Sequence, residues 1–558
     1  PARLAPTAAA LALAGSRTLW WQAGIGEKYT MSLALMSVAL LAMLRSVVRG
    51  RGIAAPAFLS GLALSHHLHG LYLVPAGLAL LRRRRVTGRT VAMAAALALL
   101  PLAAKPAATA LRAAADPPLN WGLPDRPGRL VAYLAARQYR FIMLAHKGPA
   151  DVPLRALRQG TFLPLGVLGP GVALAAPGLA ALARAAPGLL PGAGLVFAAN
   201  LWFASAYDTP EIERYYLLSY ALLAFLMGLG WAALARRSRI WGTVALLAVA
   251  APLALNARVS PRGRHYLAYD FAVNQLGSLP RRAMLICEGD DQAFPLFYVH
   301  DVLGVRPDVA LLPMPFACWE PAYARLPRHM AGLSWPPFSA DPGVHLPRLI
   351  AANVPARPAF YTPGCSGQGS EGHLVPLGPV FAAYVDPAET LRARRAASRF
   401  PALRLRGAVD AADYRDPVTS RAVVNYGLAL AYHGADLLER GQPAAAERYL
   451  AEAARLPLQP LPLAAALTHR GLCRALLSDP DGAERLLRRA IERAPEFGPG
   501  LFQLARLLLV RRRGIAEARG LLERAARFPD LLSTRERAES LAAVGEALLQ
   551  PSSEREGA

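Results

Sequence analysis

The stretch Trp20-Trp21-Gln22-Ala23-Gly24-Ile25-Gly26-Glu27-Lys28-Tyr29-Thr30 brings a carboxylate, paired indoles and a phenol to the mouth of an apolar region. Apolar sequence flanks it on both sides, Ala8–Ala14 before and Met31–Leu44 after. Tryptophan and tyrosine favour the membrane–water boundary, where the ring is buried and its polar tip stays wet. An acid inside a bilayer is costly and tends to be kept for a purpose, which makes Glu27 the candidate catalytic group. The competing reading is a short loop with an aromatic belt and one solvated acid.

Two further clusters could bind a polar substrate. Ser65-His66-His67-Leu68-His69-Gly70 places three histidines midway through an apolar run. Imidazoles there need a wet cavity or a polar partner. Adjacent His66 and His67 point different ways on a helix and no histidine lies four residues off, so no metal site is read. A phosphate or hydroxyl contact and helix-packing hydrogen bonds both remain open. In Tyr207-Asp208-Thr209-Pro210-Glu211-Ile212-Glu213-Arg214-Tyr215-Tyr216, the guanidinium of Arg214 suits a phosphate because its planar fork donates two parallel hydrogen bonds. Three preceding acids offer an internal ion pair instead.

The elements that must carry these groups follow from composition. The 558 residues are 54% hydrophobic and only 18% charged, but the apolar character is concentrated before residue 255. The net charge is +24. Many arginines sit in short clusters bordering apolar runs, a pattern of membrane topology rather than of a phosphate-tracking stripe. No nucleic-acid motif is present. Cys287, Cys318, Cys365 and Cys473 lack metal-ligand spacing; a disulfide among the first three is left open. The chain begins at Pro1 inside apolar sequence with no basic region and cleavage site, so it reads as truncated rather than as carrying a signal peptide.

A spanning helix needs about 20 apolar residues. Candidate spans are 5–20, 31–48, 54–81, 90–104, 161–184, 187–206, 215–235 and 240–255. Arg45, Arg49 and Arg51, then Arg82–Arg85 with Arg89, then Arg236, Arg237 and Arg239 mark the cytoplasmic side. The first two clusters share a side only if 54–81 is two half-spans meeting near Ser65–Gly70. The Trp20–Thr30 loop, the histidines, the loop 105–160, the loop Tyr207–Arg214 and everything beyond 256 then face outside. Loop 105–160 is proline-rich over Asp116–Pro124, with a helix expected over Gly128–Leu144. Its length favours a binding or lid role over a simple connector.

Taken together, these loops resemble the membrane glycosyltransferases of the C superfold, and more narrowly the protein O-mannosyltransferase-like family long known as a domain of unknown function. The resemblance rests on Trp20-Trp21-Gln22, Glu27-Lys28-Tyr29-Thr30 and Ser65-His66-His67-Leu68-His69-Gly70-Leu71-Tyr72. Asn120-Trp121-Gly122, Arg137-Gln138-Tyr139 and Glu213-Arg214-Tyr215-Tyr216-Leu217 add to it, as do Cys287–Asp291 and Gly304–Val309 beyond the apolar half. It implies a sugar donor carried on a polyprenyl phosphate, no further cofactor and no metal. It also implies a catalytic aspartate in a loop upstream of Pro1, with Glu27 in the next external loop shaping the acceptor and sugar site. His66, His67, His69 and Arg214 would face the carrier phosphate. Trp121, Gln138, Tyr139, Asp208, Glu211 and Tyr215 complete the candidate substrate-binding set.

After Asn256 the pattern changes. Ala283–Glu288 reads as a strand, Pro295–Leu303 as a helix and Asp308–Pro313 as a second strand, a β-α-β unit. Pro358–Pro363 and His373–Val385 could add strands. The acids of Gly289-Asp290-Asp291 read as capping the following helix or as a metal or sugar site. From Ala422 to Gln550, Ala446, Leu450 and Ala453 recur as Ala483, Leu487 and Ala490, then as Ala518, Leu522 and Ala525. These steps approach the 34-residue period of tetratricopeptide repeats, whose concave faces hold peptides or proteins.

The expected architecture is thus a polytopic α-helical membrane domain over 1–255, an extracytoplasmic α/β domain over 256–415, tetratricopeptide-like repeats over 416–550 and a disordered tail over 551–558. The expected protein sits in a bacterial inner membrane with its C-terminal half outside. Its expected partners are the bilayer, a lipid-linked sugar and an acceptor protein or peptide, the last held by the repeats. Its expected work is transfer of a mannose-like sugar to a protein hydroxyl. The alternative is a non-catalytic membrane-anchored scaffold; a transporter lacks the paired broken-helix repeats it would need.

Overall fold

A computed structural model describes residues 2–24, 28–50, 52–84, 86–143, 148, 151–207, 209, 212–259, 266–354, 356–363, 374–383, 403, 406 and 417–527. The chain divides into two compact units, Pro1–Gly263 and Arg264–Ala558. The expected boundary at 255/256 falls inside the last helix of the first.

The first unit is all helix: α1 (Ala5–Ala14), α2 (Arg17–Ala23), α3 (Tyr29–Arg49), α4 (Ala54–His66), α5 (Val74–Arg84), α6 (Gly88–Ala114), α7 (Pro127–Leu134), α8 (Asp151–Leu168), α9 (Ala175–Ala185), α10 (Leu190–Ala206), α11 (Leu217–Arg237) and α12 (Arg239–Val259). Among the described residues, five helical segments are long and apolar enough to cross a membrane: Tyr29–Arg49, Gly88–Ala114, Pro187–Ala206, Ile212–Arg237 and Arg239–Asn256. This is the pattern of a multi-pass membrane protein.

Two expected spans are not single helices. The run 5–20 breaks at Gly15-Ser16, where the Ser16 hydroxyl accepts the Leu19 N–H at 3.2 Å and starts α2. The run 161–184 breaks at Gly169-Pro170, since Gly169 takes a left-handed φ of 67° and proline cannot continue the ladder. The run 54–81 is also two helices, α4 and α5, joined by a 3-10 turn over Leu68–Leu73 that begins at the histidines. The stretch 90–104 belongs to a helix that continues through Pro101 and Pro106 to Ala114. The helix expected over Gly128–Leu144 stops at Leu134. Ala136 turns left-handed (φ 49°), and Arg137–Ile142 forms a separate 3-10 turn.

Packing in this unit depends on close backbone approach. A Cβ on Gly178 would lie 1.9 Å from the Leu226 carbonyl oxygen, and one on Gly230 would lie 2.0 Å from that of Leu174. These two glycines let α9, with the turn before it, lie directly on α11. The core combines Met36, Leu73, Leu168, Leu218, Ala224 and Met227 with the phenols of Tyr29, Tyr215, Tyr216 and Tyr220.

The second unit opens with an α/β region. Strands β1 (Met284–Cys287), β2 (Ala310–Pro313), β3 (Ala359–Tyr361), β4 (Leu374–Pro376) and β5 (Phe381–Ala383) form one sheet in the order β2-β1-β3-β5-β4. The β1 strand is parallel to both β2 and β3, with Met284 opposite Ala310 and Ala359, while β5 runs antiparallel to β3 and β4. Met284, Leu285, Ile286 and Cys287 are all buried, as expected for a central parallel strand covered on both faces. The crossover helix begins at Asp290, earlier than the expected Pro295, and ends in a wider π-type turn over Tyr298–Val302. Gly289 takes the cap position, so Asp290 and Asp291 do not cap; they sit in the first turn, where they complement the helix dipole.

Among the described residues six helices follow: Pro417–Glu439, Pro443–Ala453, Pro460–Leu476, Pro480–Arg493, Gly498–Val510 and Ile515–Ala525. The recurring Ala446, Leu450 and Ala453, with their two sets of counterparts, are buried throughout. Gly434 faces Leu450 and Gly471 faces Leu487, with would-be Cβ distances of 2.5 and 2.8 Å to the leucine Cγ. Any side chain at either glycine would push the paired helices apart. Residues 551–558, Pro529 and Cys365 lie outside the described residues.

Candidate functional site

The site forms where the N-terminus of α3 meets the α4–α5 turn and the turn before α11. Lys28 caps α3 and Tyr29 is its first residue. His66 ends α4, and its Nε2 lies 3.2 Å from the Lys28 carbonyl oxygen. His67 then swings to an extended conformation, and its Nδ1 accepts the His69 N–H at 3.2 Å. Gly70 makes that turn feasible, since a Cβ there would lie 2.4 Å from Leu64 Cα.

The result is an aromatic cage around His69. The His67 and His69 rings are 4.2 Å apart, and Tyr29, Tyr72 and Tyr215 stand 5.7, 5.5 and 5.6 Å from His69. Phe203 of α10 closes it at 6.2 Å. Inside the cage the Tyr29 hydroxyl donates to that of Tyr215 at 3.2 Å. His69 is buried, and among the described residues its Nε2 has no hydrogen-bond partner, an orphan that a ligand oxygen would satisfy.

The turn Ile212–Tyr216 is clasped from two sides. Asn200 of α10 donates to the Tyr215 carbonyl at 2.8 Å, and its own oxygen accepts from the Ser219 N–H at 3.2 Å and hydroxyl at 2.6 Å. Glu213 accepts from Arg17 at 2.7 Å and from the Thr18 hydroxyl at 2.8 Å. So clamped, Arg214 places its guanidinium carbon 5.0 Å from the Tyr29 ring centre and 5.4 Å from that of Tyr215. The Lys28 ammonium is 5.7 Å from the Tyr29 ring centre. Lys28 acts electrostatically on both His67 and His69, and Arg214 acts on His69. Of the three acids before Arg214, Glu213 is engaged by Arg17, while Asp208 and Glu211 lie outside the described residues.

The structure therefore brings together His66, His67, His69, Arg214 and Tyr215. Glu27 also lies outside the described residues. Met143, at the end of the Arg137–Ile142 turn, forms a β-bridge with Tyr207, and Tyr207 packs on Tyr215 at 4.8 Å. That joins the turn carrying Gln138 and the half-exposed Tyr139 to the site. Trp121 is exposed in the loop before α7. Tyr29, Tyr72, Asn200 and Phe203 were not among the expected site residues. Tyr29 and Tyr72 lie in the motifs that carry the family resemblance, and Asn200 had its own signal as a lone amide in an otherwise apolar helix. Among the described residues no group of three or more His, Cys, Asp or Glu side chains could hold a metal.

Comparison with known proteins adds a separate observation. Residues 2–90 match the family model described as Protein O-mannosyl-transferase TMEM260 N-terminal domain. The matched segment contains Lys28, Tyr29 and all three histidines. Protein O-mannosyl-transferase TMEM260 of Mus musculus is 31% identical over 149 residues, covering 25% of this chain and 21% of the relative. Protein O-mannosyl-transferase tmem260 of Dictyostelium discoideum is 27% identical over 124 residues, covering 21% of this chain and 15% of the relative. The match thus spans about a fifth or less of the length of these relatives. It bears out the resemblance to an O-mannosyltransferase-like family; the tetratricopeptide reading gains nothing from it. No solved structure matches the chain.

Proposed function

We propose that this chain is part of a membrane glycosyltransferase that moves a mannose-like sugar from a polyprenyl-phosphate carrier to a protein hydroxyl on the extracytoplasmic face of a bacterial inner membrane. The observation that carries the reading is the convergence of Lys28 and Arg214 on an orphaned imidazole nitrogen of His69. Cations and hydrogen-bond donors of this kind stabilise the charge that builds on a leaving phosphate. The names of the two relatives support the sugar and the acceptor.

In the reaction, the acceptor oxygen bonds to the anomeric carbon as the carbon–phosphate oxygen bond breaks. A carboxylate takes the hydroxyl proton, a contribution of about 10²–10⁴-fold. Glu27 is the candidate within this chain, alongside the aspartate the family resemblance places upstream. The aromatic cage excludes water, which strengthens each electrostatic contact inside it. Asn200 and the Arg17–Glu213 pair hold the Arg214 turn in place. Trp121, Gln138, Tyr139, Asp208, Glu211 and Tyr215 are assigned to substrate, and the helical pairs of the second unit, read as tetratricopeptide-like, to the acceptor protein.

The test is transfer of radiolabelled mannose from polyprenyl-phosphate-mannose to exported protein, in membranes carrying the gene extended upstream, this chain, or an Arg214→Ala form of the extended gene. Transfer by the extended form that is lost with Arg214→Ala supports the reading. Absence of transfer from every carrier sugar tested overturns it. That result favours a membrane-anchored scaffold, in which the stacked helical pairs of the second unit do the work.

A further inference from the structure

Basic residues total 62, yet only three are lysines: Lys28, Lys105 and Lys147. Two of these three meet at one place. Lys105 lies inside the apolar helix α6, where a charge facing lipid would be costly. Its position on that helix is partly covered by the protein. From Val91 onward the partly or fully covered positions of α6 form one stripe that runs from Ala94 through Ala98, Pro101 and Lys105 to Ala113, while the positions off it are exposed.

That stripe packs on α4. A Cβ on Gly61 would sit 2.1 Å from the Ala98 carbonyl oxygen, so the two backbones touch there. His67 follows the end of α4 six residues beyond Gly61, and Lys105 lies seven residues beyond Ala98, about 10 Å further along α6. Lys105 is among the charges acting on His67, and it and Lys28 act on each other, which puts the α6 lysine near the turn that follows α4. Lys28 acts on both histidines, Lys105 on His67 and Arg214 on His69.

We infer that Lys105, with Lys28, contacts the phosphate of the lipid carrier at His67 and matches the additional negative charge that appears there when the sugar leaves. The inference rests on the phosphate reading above. A sugar-bearing carrier is a phosphodiester with one negative charge. When the anomeric carbon–oxygen bond breaks, its electron pair stays on phosphate, and the monoester released is close to doubly charged at neutral pH, its second pKa being about 6. Lys28 and Arg214 serve the charge present in both species; a third cation favours the product and the transition state leading to it. Lysine suits this task as a compact point charge on a flexible stem.

The experiment uses the full chain in nanodiscs of zwitterionic lipid. Farnesyl phosphate, a farnesyl-phosphate-mannose diester, farnesol and inorganic phosphate are titrated against wild type, Lys105→Met, Lys105→Arg and Arg214→Ala. Expected is a loss of about tenfold in farnesyl phosphate affinity for Lys105→Met. The diester should be weakened several-fold less, farnesol unaffected, and Lys105→Arg largely restored. Thermal unfolding of Lys105→Met should be no lower than wild type, because an apolar side chain suits an apolar helix; a purely structural lysine would lower it. Unchanged farnesyl phosphate binding by Lys105→Met, with loss in Arg214→Ala, overturns the role of Lys105 and leaves the phosphate reading intact. Equal binding of farnesol and farnesyl phosphate by wild type overturns both. Displacement by inorganic phosphate at matching concentration overturns the lipid as the source of the anion.

Discussion

The two units handle charge in opposite ways. In the helical pairs of the second unit, acids and arginines are matched in a repeating pattern. Glu447 accepts from Arg470 and Arg474, Glu484 from Arg488 and Arg511, and Glu517 from Arg488. Arg474 and Arg511 occupy equivalent places in successive pairs, each reaching back to the helix before it. In the first unit, Lys28, Arg214 and Lys105 instead converge on a histidine pair inside an apolar shell. Charge matched to charge holds elements in register; cations gathered beside imidazoles suit the phosphate site proposed above. The contrast separates architecture from binding without reference to any relative.

Four outcomes put the contrast at risk. The largest concerns Arg214→Ala, expected to lower sugar transfer by about 10²–10³-fold while leaving the unfolding of the second unit unchanged; a normal transfer rate would remove the first unit's claim to the chemistry. Next, Leu487→Ala in the second unit should cost about 3 kcal/mol of stability, as a fully buried leucine facing Gly471 leaves a cavity. Denaturant unfolding measures it, and farnesyl phosphate binding should not move. A smaller effect is expected of Glu213→Gln, which loosens the Arg17 clasp on the Arg214 turn; kcat/KM should fall about tenfold, and a silent change would reduce that clasp to surface decoration.

The smallest is a pH effect in the second unit. Burial lowers the pKa of His433 from 6.5 to about 4, with Arg440 adding to the shift and Asp436 opposing it. The unfolded chain therefore takes up a proton first as pH falls. The stability associated with neutral His433 is full above pH 6.5 and is lost progressively down to about 4. His433→Gln should flatten that part of the stability curve, and an unaltered curve would mean that His433 is already charged in the folded state.

Much of this was legible in the residues because local chemistry decides it. The strands Met284–Cys287 and Ala310–Pro313, the later strands near 360 and 374–383, and the recurring Ala-Leu-Ala positions of the helical pairs follow from periodicity and burial alone. So does the break at His66–Gly70, where polar residues interrupt an apolar run. The helix expected over Gly128–Leu144 failed because the left-handed turn at Ala136 has no composition to announce it. The spans at 5–20 and 161–184 failed for a different reason, since a hydropathy window averages over single residues such as Gly15 and Gly169 that stop a helix.

The order of residues settled which side-chain types were available near the membrane: the histidine run, the arginine after three acids, the aromatic belt. It could not say which of them meet. Tyr29 and Tyr215 are 186 residues apart yet share a hydrogen bond, and Glu213 turns away from Arg214 to Arg17 because the fold presents α2 on that side. Lys105 reads along the chain as the polar end of a short apolar segment. Only the contact of α6 with α4 at Gly61 turns it inward, because a helix has a single covered stripe and the tertiary packing decides which residues lie on it.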